Sequence, residues 1–126
     1  MIVVTGAGGR LGRLVADRLV NAGKVVVGTD RVPAESPDFK FVLGDLSDAG
    51  MVSELVRGAD AVVHMGAIPG PRSRGPVETF ENNVSSTFNV MMAAAEHGVR
   101  RMFFRRVLLA WAGRTIRVRL CRYICR

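Results

Sequence analysis

Residues 5–12 read Thr-Gly-Ala-Gly-Gly-Arg-Leu-Gly, with glycines at positions 6, 9 and 12. A short apolar run at 1–5 leads into this stretch and predicts a buried strand. A helical apolar period begins after the stretch and ends near Gly23, which predicts a helix. The inward face of that helix is expected to carry Leu11, Leu14, Val15 and Leu19. A strand, a glycine-rich turn and a helix in this order indicate the first unit of a parallel α/β fold.

The same alternation continues to residue 104. Apolar runs predict further strands at 24–30, 39–43, 61–65 and 99–104. A helix capped by Ser47 or Asp48 should bury Met51, Val52, Leu55 and Val56. A longer helix from about Val77 to His97 should bury Phe80, Val84, Met91 and Ala95. Strands that alternate with helices predict a Rossmann-type, doubly wound parallel sheet of about five strands, in the order 3-2-1-4-5.

The glycine loop has the chemistry of a dinucleotide site. Gly6 allows a sharp turn out of the strand, Gly9 lets the backbone approach a pyrophosphate, and Gly12 lets the helix pack closely on the sheet. The helix N-terminus directs free N–H groups and a partial positive charge at the phosphates. The residues between and beside these glycines complete the candidate loop: Gly8, Arg10 and Leu11.

Asp30 stands at the end of the second predicted strand, 18 residues after Gly12. A carboxylate at this place accepts hydrogen bonds from the adenosine ribose and repels a 2′-phosphate, which favours NAD over NADP. The adjacent Arg31 would instead welcome that phosphate. The alternative for Asp30 is a solvated carboxylate at a strand end.

Four segments together resemble the extended short-chain dehydrogenases, the NAD-dependent epimerase/dehydratase family. They are the glycine loop, Gly44-Asp45-Leu46, the Val-His-Met-Gly-Ala stretch at 63–67 and the Asn-Asn-Val-Ser-Ser-Thr-Phe-Asn-Val stretch at 82–90. The resemblance covers residues 1–104. It implies a sugar or sugar-nucleotide epimerase, dehydratase or dehydrogenase with NAD as cofactor.

The resemblance also implies roles for single residues. Asp45 and Leu46 would lie beside the adenine ring, Gly66 and Ala67 near the middle of the cofactor, and Asn83 near its nicotinamide half. Each has a plainer alternative: Asp45 as a turn or cap residue, and Asn83 as a polar residue on a helix face. We expect His64 to pack within the sheet and to have no catalytic role.

The chain departs from the family after the fifth predicted strand. The family continues with a serine-rich turn and a Tyr-x-x-x-Lys pair, in which the tyrosine is the acid/base. Here no serine follows Ser86, no lysine follows Lys40, and Tyr123 precedes only Ile-Cys-Arg. The interpretation is a truncated, catalytically incomplete NAD-binding fragment with no catalytic residues of its own. One alternative is a non-catalytic NAD-binding or sensing module, and a second, less favoured one is a basic, nucleic-acid-associated protein.

The net charge of +7 comes from one end of the chain. Residues 1–99 carry 9 Lys and Arg against 11 Asp and Glu, a sum of −2, whereas residues 100–126 carry 9 Arg and no acid. We therefore divide the chain into an NAD-binding domain at 1–104 and an atypical Arg-rich tail at 105–126. The tail is either a basic arm for nucleic acid or an acidic membrane, or the product of a reading frame lost near codon 104. Its abrupt onset and lack of a recognisable motif favour the lost frame.

Other classes of protein fit the composition poorly. No apolar run approaches the ~20 residues that cross a membrane, and no signal peptide precedes Thr5, so a cytoplasmic protein is expected. Cys121 and Cys125 predict neither a disulfide framework nor a metal site. A nucleic-acid partner and a membrane partner are not expected, and the oligomeric state does not follow from the sequence.

Overall fold

The computed structural model describes residues 1–69, 74–104, 110–111 and 114–115. Strands and helices alternate as predicted: β1 (Ile2–Thr5), α1 (Arg10–Asn21), β2 (Val26–Asp30), β3 (Lys40–Leu43), α2 (Ala49–Val56), β4 (Ala61–His64), α3 (Pro76–Glu96) and β5 (Arg101–Phe104). Two short strands, β6 (Ala110–Trp111) and β7 (Arg114–Thr115), pair antiparallel. The remainder of the Arg-rich tail lies outside the described residues, so its predicted place outside the fold stays a prediction.

The first five strands form one parallel sheet in the order β3-β2-β1-β4-β5, which confirms the predicted topology. The chain begins in the middle of the sheet, at β1, and then builds outward on both sides. The register places Thr5 of β1 between Thr29 of β2 and His64 of β4. All five strands therefore end at one edge, and the order reverses between β1 and β4, where such folds bind ligands.

Each face of the sheet has its own apolar core, as a doubly wound fold requires. On one face Val3 and Val62 pack with α2 and α3, whose buried residues there include Val52, Val56, Val90, Ala93 and Ala94. On the other face Val4 and Val26 pack with Ala16 of α1. Asp48 caps α2 by accepting a 3.0 Å hydrogen bond from the Met51 N–H. Of the two residues predicted as possible caps, Ser47 and Asp48, it is therefore Asp48 that caps the helix.

The predicted inward face is wrong for α3 and only half right for α1. In α1 the buried residues are Gly12 and Ala16, and Leu11 and Leu14 are exposed, whereas Val15 and Leu19 are half-buried and Leu19 packs against the core. In α3 the buried residues are Thr79, Ser86, Val90, Ala93 and Ala94, whereas Phe80, Val84, Met91 and Ala95 are exposed. Small side chains make up most of the buried face of both helices, and bulky apolar residues such as Leu14 and Phe80 lie on the outside. The α2 face was predicted correctly, with Val52 and Val56 fully buried.

None of the described helices combines the length and the apolarity that crossing a membrane requires.

Candidate functional site

The loops that follow the carboxyl ends of β1, β2, β3 and β4 meet at one edge of the sheet. They bring together nearly all residues that the sequence singled out, in four groups: the glycine turn, Asp30-Arg31, Asp45-Leu46 and Gly66-Ala67. Asn83 joins them from α3. Because these segments come from places up to about 60 residues apart in sequence, the sheet topology, and not local sequence, assembles the site.

The glycine turn is sterically fixed at its two ends. Gly6 has a φ of +71°, and a Cβ added there would lie 2.6 Å from the Met65 carbonyl carbon. A Cβ added at Gly12 would lie 2.0 Å from the Gly6 carbonyl oxygen. Both distances are too short for any side chain, so the fold itself requires glycine at positions 6 and 12.

Gly9 is glycine for a different reason. It is exposed, its backbone is extended, and an added Cβ would meet the protein no closer than 3.3 Å, at the Gly6 carbonyl oxygen. The position directly precedes α1, whose first intrahelical bond runs from the Arg13 N–H to the Gly9 carbonyl across 2.9 Å. No side chain caps this end of α1, and its first turn contains no acid. The open surface at Gly9 and the N–H groups of the first turn fit a phosphate.

Asp30 faces the glycine turn from the end of β2. Its carboxylate accepts hydrogen bonds from three backbone N–H groups: Gly8 at 3.1 Å, Arg31 at 2.7 Å and Val32 at 3.3 Å. A Cβ at Gly8 would lie 2.3 Å from the Val32 carbonyl oxygen and 3.0 Å from the Asp30 Cβ. The absence of a side chain at Gly8 therefore allows the carboxylate to reach the turn.

Arg31 and Asp45 bound a second part of the site. The Arg31 guanidinium lies 3.6 Å from the Asp45 carboxylate, which also accepts a 2.9 Å hydrogen bond from the Ser47 N–H. That backbone hydrogen bond, with a contribution from Arg31, holds the pKa of Asp45 below its usual range. The two side chains line a shallow cleft of about 210 Å³ together with Ser47, Glu78, Glu81, Asn82 and Ser85.

The turn after β4 lies directly against the glycine turn. The Gly66 N–H donates a hydrogen bond to Thr5 Oγ1 across 3.1 Å, and the Ala67 N–H donates to the Met65 carbonyl. A Cβ at Gly66 would lie 2.7 Å from a methyl carbon of Leu46. The Leu46 side chain is itself buried in the α2–α3 core, so it supports this turn from beneath.

Two asparagines of α3 attach the site loops to the helix. Asn83 Oδ1 accepts from the Ile68 N–H at 2.8 Å, and Asn83 Nδ2 donates to the Ile68 carbonyl at 3.0 Å. Asn89 Nδ2 donates to the carbonyls of Leu46 and Ser47 at 2.9 and 3.0 Å. The sequence interpretation gave no role to Asn89, although it belongs to the same Asn-rich segment at 82–90.

His64 packs within the sheet, as expected. Its ring makes hydrogen bonds at both nitrogens, to Thr5 Oγ1 at 2.8 Å and to Thr87 Oγ1 at 3.2 Å, and meets the Phe104 ring edge-on. Burial lowers the pKa of His64 to about 4. The imidazole is therefore neutral near pH 7. Among the residues that the structure describes, no group of three His, Cys, Asp or Glu side chains is arranged to hold a metal ion.

Comparison with known proteins agrees with this geometry. A sequence profile of the NAD-dependent epimerase/dehydratase family matches residues 2–106. The uronate dehydrogenase of Pseudomonas putida is 33% identical over 106 residues, which cover 82% of this chain and 39% of that enzyme.

Two solved structures extend the comparison. A mutant uronate dehydrogenase of Agrobacterium tumefaciens, complexed with NAD, is 34% identical with a TM-score of 0.72, over 82% of this chain and 39% of that one. MoeE5, in complex with UDP-glucose and NAD, is 30% identical with a TM-score of 0.74, over 82% of this chain and 35% of that one. The present chain thus spans about 39% of the length of the uronate dehydrogenases that it matches.

Proposed function

The chain belongs to the NAD-dependent epimerase/dehydratase family, and on that premise we propose that residues 1–104 are an NAD-binding unit. The observation that carries the proposal is the contact between the glycine turn and Asp30, in which the Gly8 N–H meets the carboxylate across 3.1 Å. A phosphate-binding turn and a ribose-binding carboxylate must lie side by side to hold the two parts of one adenosine diphosphate.

The pyrophosphate would be held by the turn between β1 and α1. Gly9 leaves the surface open, and the N–H groups of Arg10, Leu11 and Gly12 precede the first intrahelical bond. Neutralisation of the phosphate charge by these N–H groups and the helix dipole would supply much of the affinity.

Discrimination between NAD and NADP would rest on Asp30. A carboxylate accepts hydrogen bonds from the ribose hydroxyls and repels a 2′-phosphate. The Arg31 guanidinium could attract a 2′-phosphate, but it lies near the Asp45 carboxylate, which offsets its charge. This arrangement supports NAD as the cofactor.

The remaining candidate residues extend the same site. We assign the cleft beside Arg31 and Asp45 to the adenine ring, with Leu46 in the adjoining core beneath the turn after β4. Gly66 and Ala67 would line the middle of the cofactor, and Asn83 would support the nicotinamide half through the Ile68 backbone. NAD supplies hydride acceptance and donation when bound, while the residues of this chain bind and orient it.

The relatives suggest the chemistry of the whole protein. Uronate dehydrogenases, and a protein solved with UDP-glucose, share this part of the chain. We therefore assign the whole protein to oxidation, reduction or epimerisation of a sugar or sugar nucleotide. The 126 residues contain no Tyr-x-x-x-Lys pair, so this polypeptide alone is expected to bind the cofactor and not to turn over substrate.

The test is calorimetric titration of the 126-residue chain with NAD, together with two matched glycine variants. Gly9→Val fills the surface assigned to the pyrophosphate and should abolish binding. Gly50→Val alters an equally exposed glycine near the N-terminus of α2, away from the site, and should leave binding unchanged. Equal binding by the wild type and the Gly9→Val variant would refute the site.

A further inference from the structure

A chain of buried hydrogen bonds crosses the sheet beneath the candidate site. Thr5 and His64 are register neighbours at the ends of β1 and β4, and Thr87 approaches from α3. The Thr5 hydroxyl lies 2.8 Å from His64 Nδ1, and Thr87 Oγ1 lies 3.2 Å from His64 Nε2. Thr5 is fully buried and His64 is 5% exposed, so water does not compete for the bond between them, whereas Thr87 is half-buried.

The hydrogen bonds that Thr5 accepts determine which groups donate and which accept along this hydrogen-bond chain. The Thr5 hydroxyl oxygen receives the Gly66 N–H at 3.1 Å and shares the Met65 N–H, at 3.2 Å, with the Thr5 carbonyl oxygen, which accepts it at 3.1 Å. A hydroxyl has two lone pairs and one proton, so with both lone pairs facing N–H donors we assign this proton to the bond with His64 Nδ1. The hydrogen-bond network thereby assigns the histidine proton to Nε2, from which it is donated to Thr87.

The chain ends on the turn that packs against the glycine loop. A Cβ at Gly6 would lie 2.7 Å from the Gly66 nitrogen and 2.8 Å from its Cα. The position of the Gly66 backbone therefore affects the shape of the phosphate-binding turn directly. Thr5 fixes that position through its hydroxyl, and His64 fixes the orientation of the hydroxyl.

We propose that Thr5, His64 and Thr87 are positioning residues, which hold the Met65–Gly66 turn against Gly6 in the arrangement that admits the dinucleotide. The proposal rests on the proposed NAD site. Thr5 contacts the loop backbone and His64, and His64 contacts Thr87, so the three side chains act on the cofactor only through Gly66 and Gly6.

The sheet offers a matched control in Thr29. It is paired with Thr5 in the register of β1 and β2, and both threonines are fully buried. Within the described residues, however, Thr29 Oγ1 has no hydrogen-bond partner. Replacement of either threonine by valine removes one hydroxyl at the same depth in the sheet. Only the Thr5 replacement breaks the hydrogen-bond chain.

The experiment compares Thr5→Val and Thr29→Val in the 126-residue chain with two measurements. Amide hydrogen exchange at Met65 and Gly66, without cofactor, reports the turn; calorimetric titration with NAD reports the site. Thr5→Val should speed Gly66 exchange and weaken NAD binding, each by about tenfold or more, because the partly buried Gly66 N–H loses its acceptor. Thr29→Val should change neither measurement by more than about twofold, since no hydrogen bond is lost.

Two histidine variants test the chain if Thr5→Val fails to fold. Asparagine at position 64 retains an acceptor near the position of Nδ1, whereas leucine retains none. His64→Leu should therefore weaken NAD binding and His64→Asn should restore much of the lost affinity. Equal affinity in these two variants would contradict the role of the hydroxyl orientation.

The outcomes separate this proposal from the NAD assignment. Faster Gly66 exchange with unchanged NAD affinity would show a purely structural chain and would overturn the positioning role. Unchanged exchange in Thr5→Val, or equal changes in Thr29→Val, would also overturn it. If the wild type binds no NAD, the proposed function fails and the positioning role fails with it. Faster Gly66 exchange in Thr5→Val would in that case show only that the hydrogen bonds of Thr5 stabilise the turn.

Discussion

The backbone N–H of Gly8 donates a hydrogen bond to the side-chain carboxylate of Asp30 across 3.1 Å. This bond joins the turn after β1 to the end of β2, 22 residues further along the chain. The bond requires a glycine at position 8, because a Cβ there would lie 3.0 Å from the Asp30 Cβ. The glycine turn and the carboxylate thus form one structural unit before any ligand binds.

The glycines of the turn should separate into structural and binding residues. Gly12→Ala forces a Cβ to within 2.0 Å of the Gly6 carbonyl and should lower the free energy of unfolding by about 1–3 kcal/mol or more. Gly9→Ala adds a methyl group at an exposed residue with an extended backbone and should change the free energy of unfolding by less than about 1 kcal/mol. Urea denaturation of the two variants measures the difference. Equal destabilisation would show that the turn is not packed as described.

Asn83 should stabilise the loop after β4. Asn83→Ala leaves both the N–H and the carbonyl of Ile68 without their side-chain partner. Loss of partners for partly buried backbone groups is expected to cost about 1–3 kcal/mol in unfolding free energy. Ser85→Ala, at an exposed position of the same helix, is the control and should have little effect. A loss as large in Ser85→Ala would indicate a general effect on α3.

His64 should make stability depend on pH. Burial lowers its pKa to about 4 in the folded chain, against about 6.5 when unfolded. Between these values the unfolded chain binds a proton that the folded chain does not, so the unfolding free energy rises with pH. The contribution, on the order of 3 kcal/mol, is fully present above about pH 6.5 and is lost as pH falls toward 4.

Burial, and not a neighbouring charge, accounts for the lowered pKa of His64. Its own strand and β1 carry no other ionisable side chain, β5 carries Arg101 at the opposite end, and α3 carries Glu78, Glu81 and Glu96 at exposed positions. Urea denaturation at pH 5 and pH 7 measures the effect. His64→Asn should remove this part of the pH dependence, and His97→Asn should retain it because His64 is unchanged. A wild-type chain that is more stable at pH 5 would contradict the sign.

The 126-residue chain should transfer no hydride from a uronate to NAD. It contains no Tyr-x-x-x-Lys pair, and loss of a positioned acid/base alone costs ~10²–10⁴ in rate. Absorbance of NADH, with the uronate dehydrogenase of Pseudomonas putida as the active control, measures the rate. Turnover comparable to the control would show that other residues supply the chemistry.

Much of the fold followed from local sequence. The glycine turn, the apolar runs and the glycine stops predicted five parallel strands in the correct order. The inward face of α3, and half of that of α1, were not predicted, because small residues occupy most of these faces. Gly12 and Ala16, or Ala93 and Ala94, carry little apolar signal, although they allow the closest approach to the sheet.

The candidate site was predicted where its residues share one contiguous motif. The glycine turn is such a motif, and Asp30 follows it at a characteristic distance. Thr5 and Asn89 were missed because their partners lie far away in sequence: the Thr5 hydroxyl meets Gly66, 61 residues on, and Asn89 meets Leu46, 43 residues back. Only the register of β1 with β4 and the packing of α3 bring those atoms together.

The most direct test is calorimetric titration of the wild-type chain with NAD and NADP, repeated for Asp30→Ala and for Asp38→Ala, an exposed carboxylate in the β2–β3 connection. The wild type and Asp38→Ala should bind NAD at least about tenfold more tightly than NADP, because Asp30 accepts the ribose hydroxyls and repels the 2′-phosphate. Asp30→Ala should lose most of that preference. Tighter binding of NADP by the wild type, or a preference unaffected by Asp30→Ala, would contradict the assignment of this edge of the sheet as an NAD site.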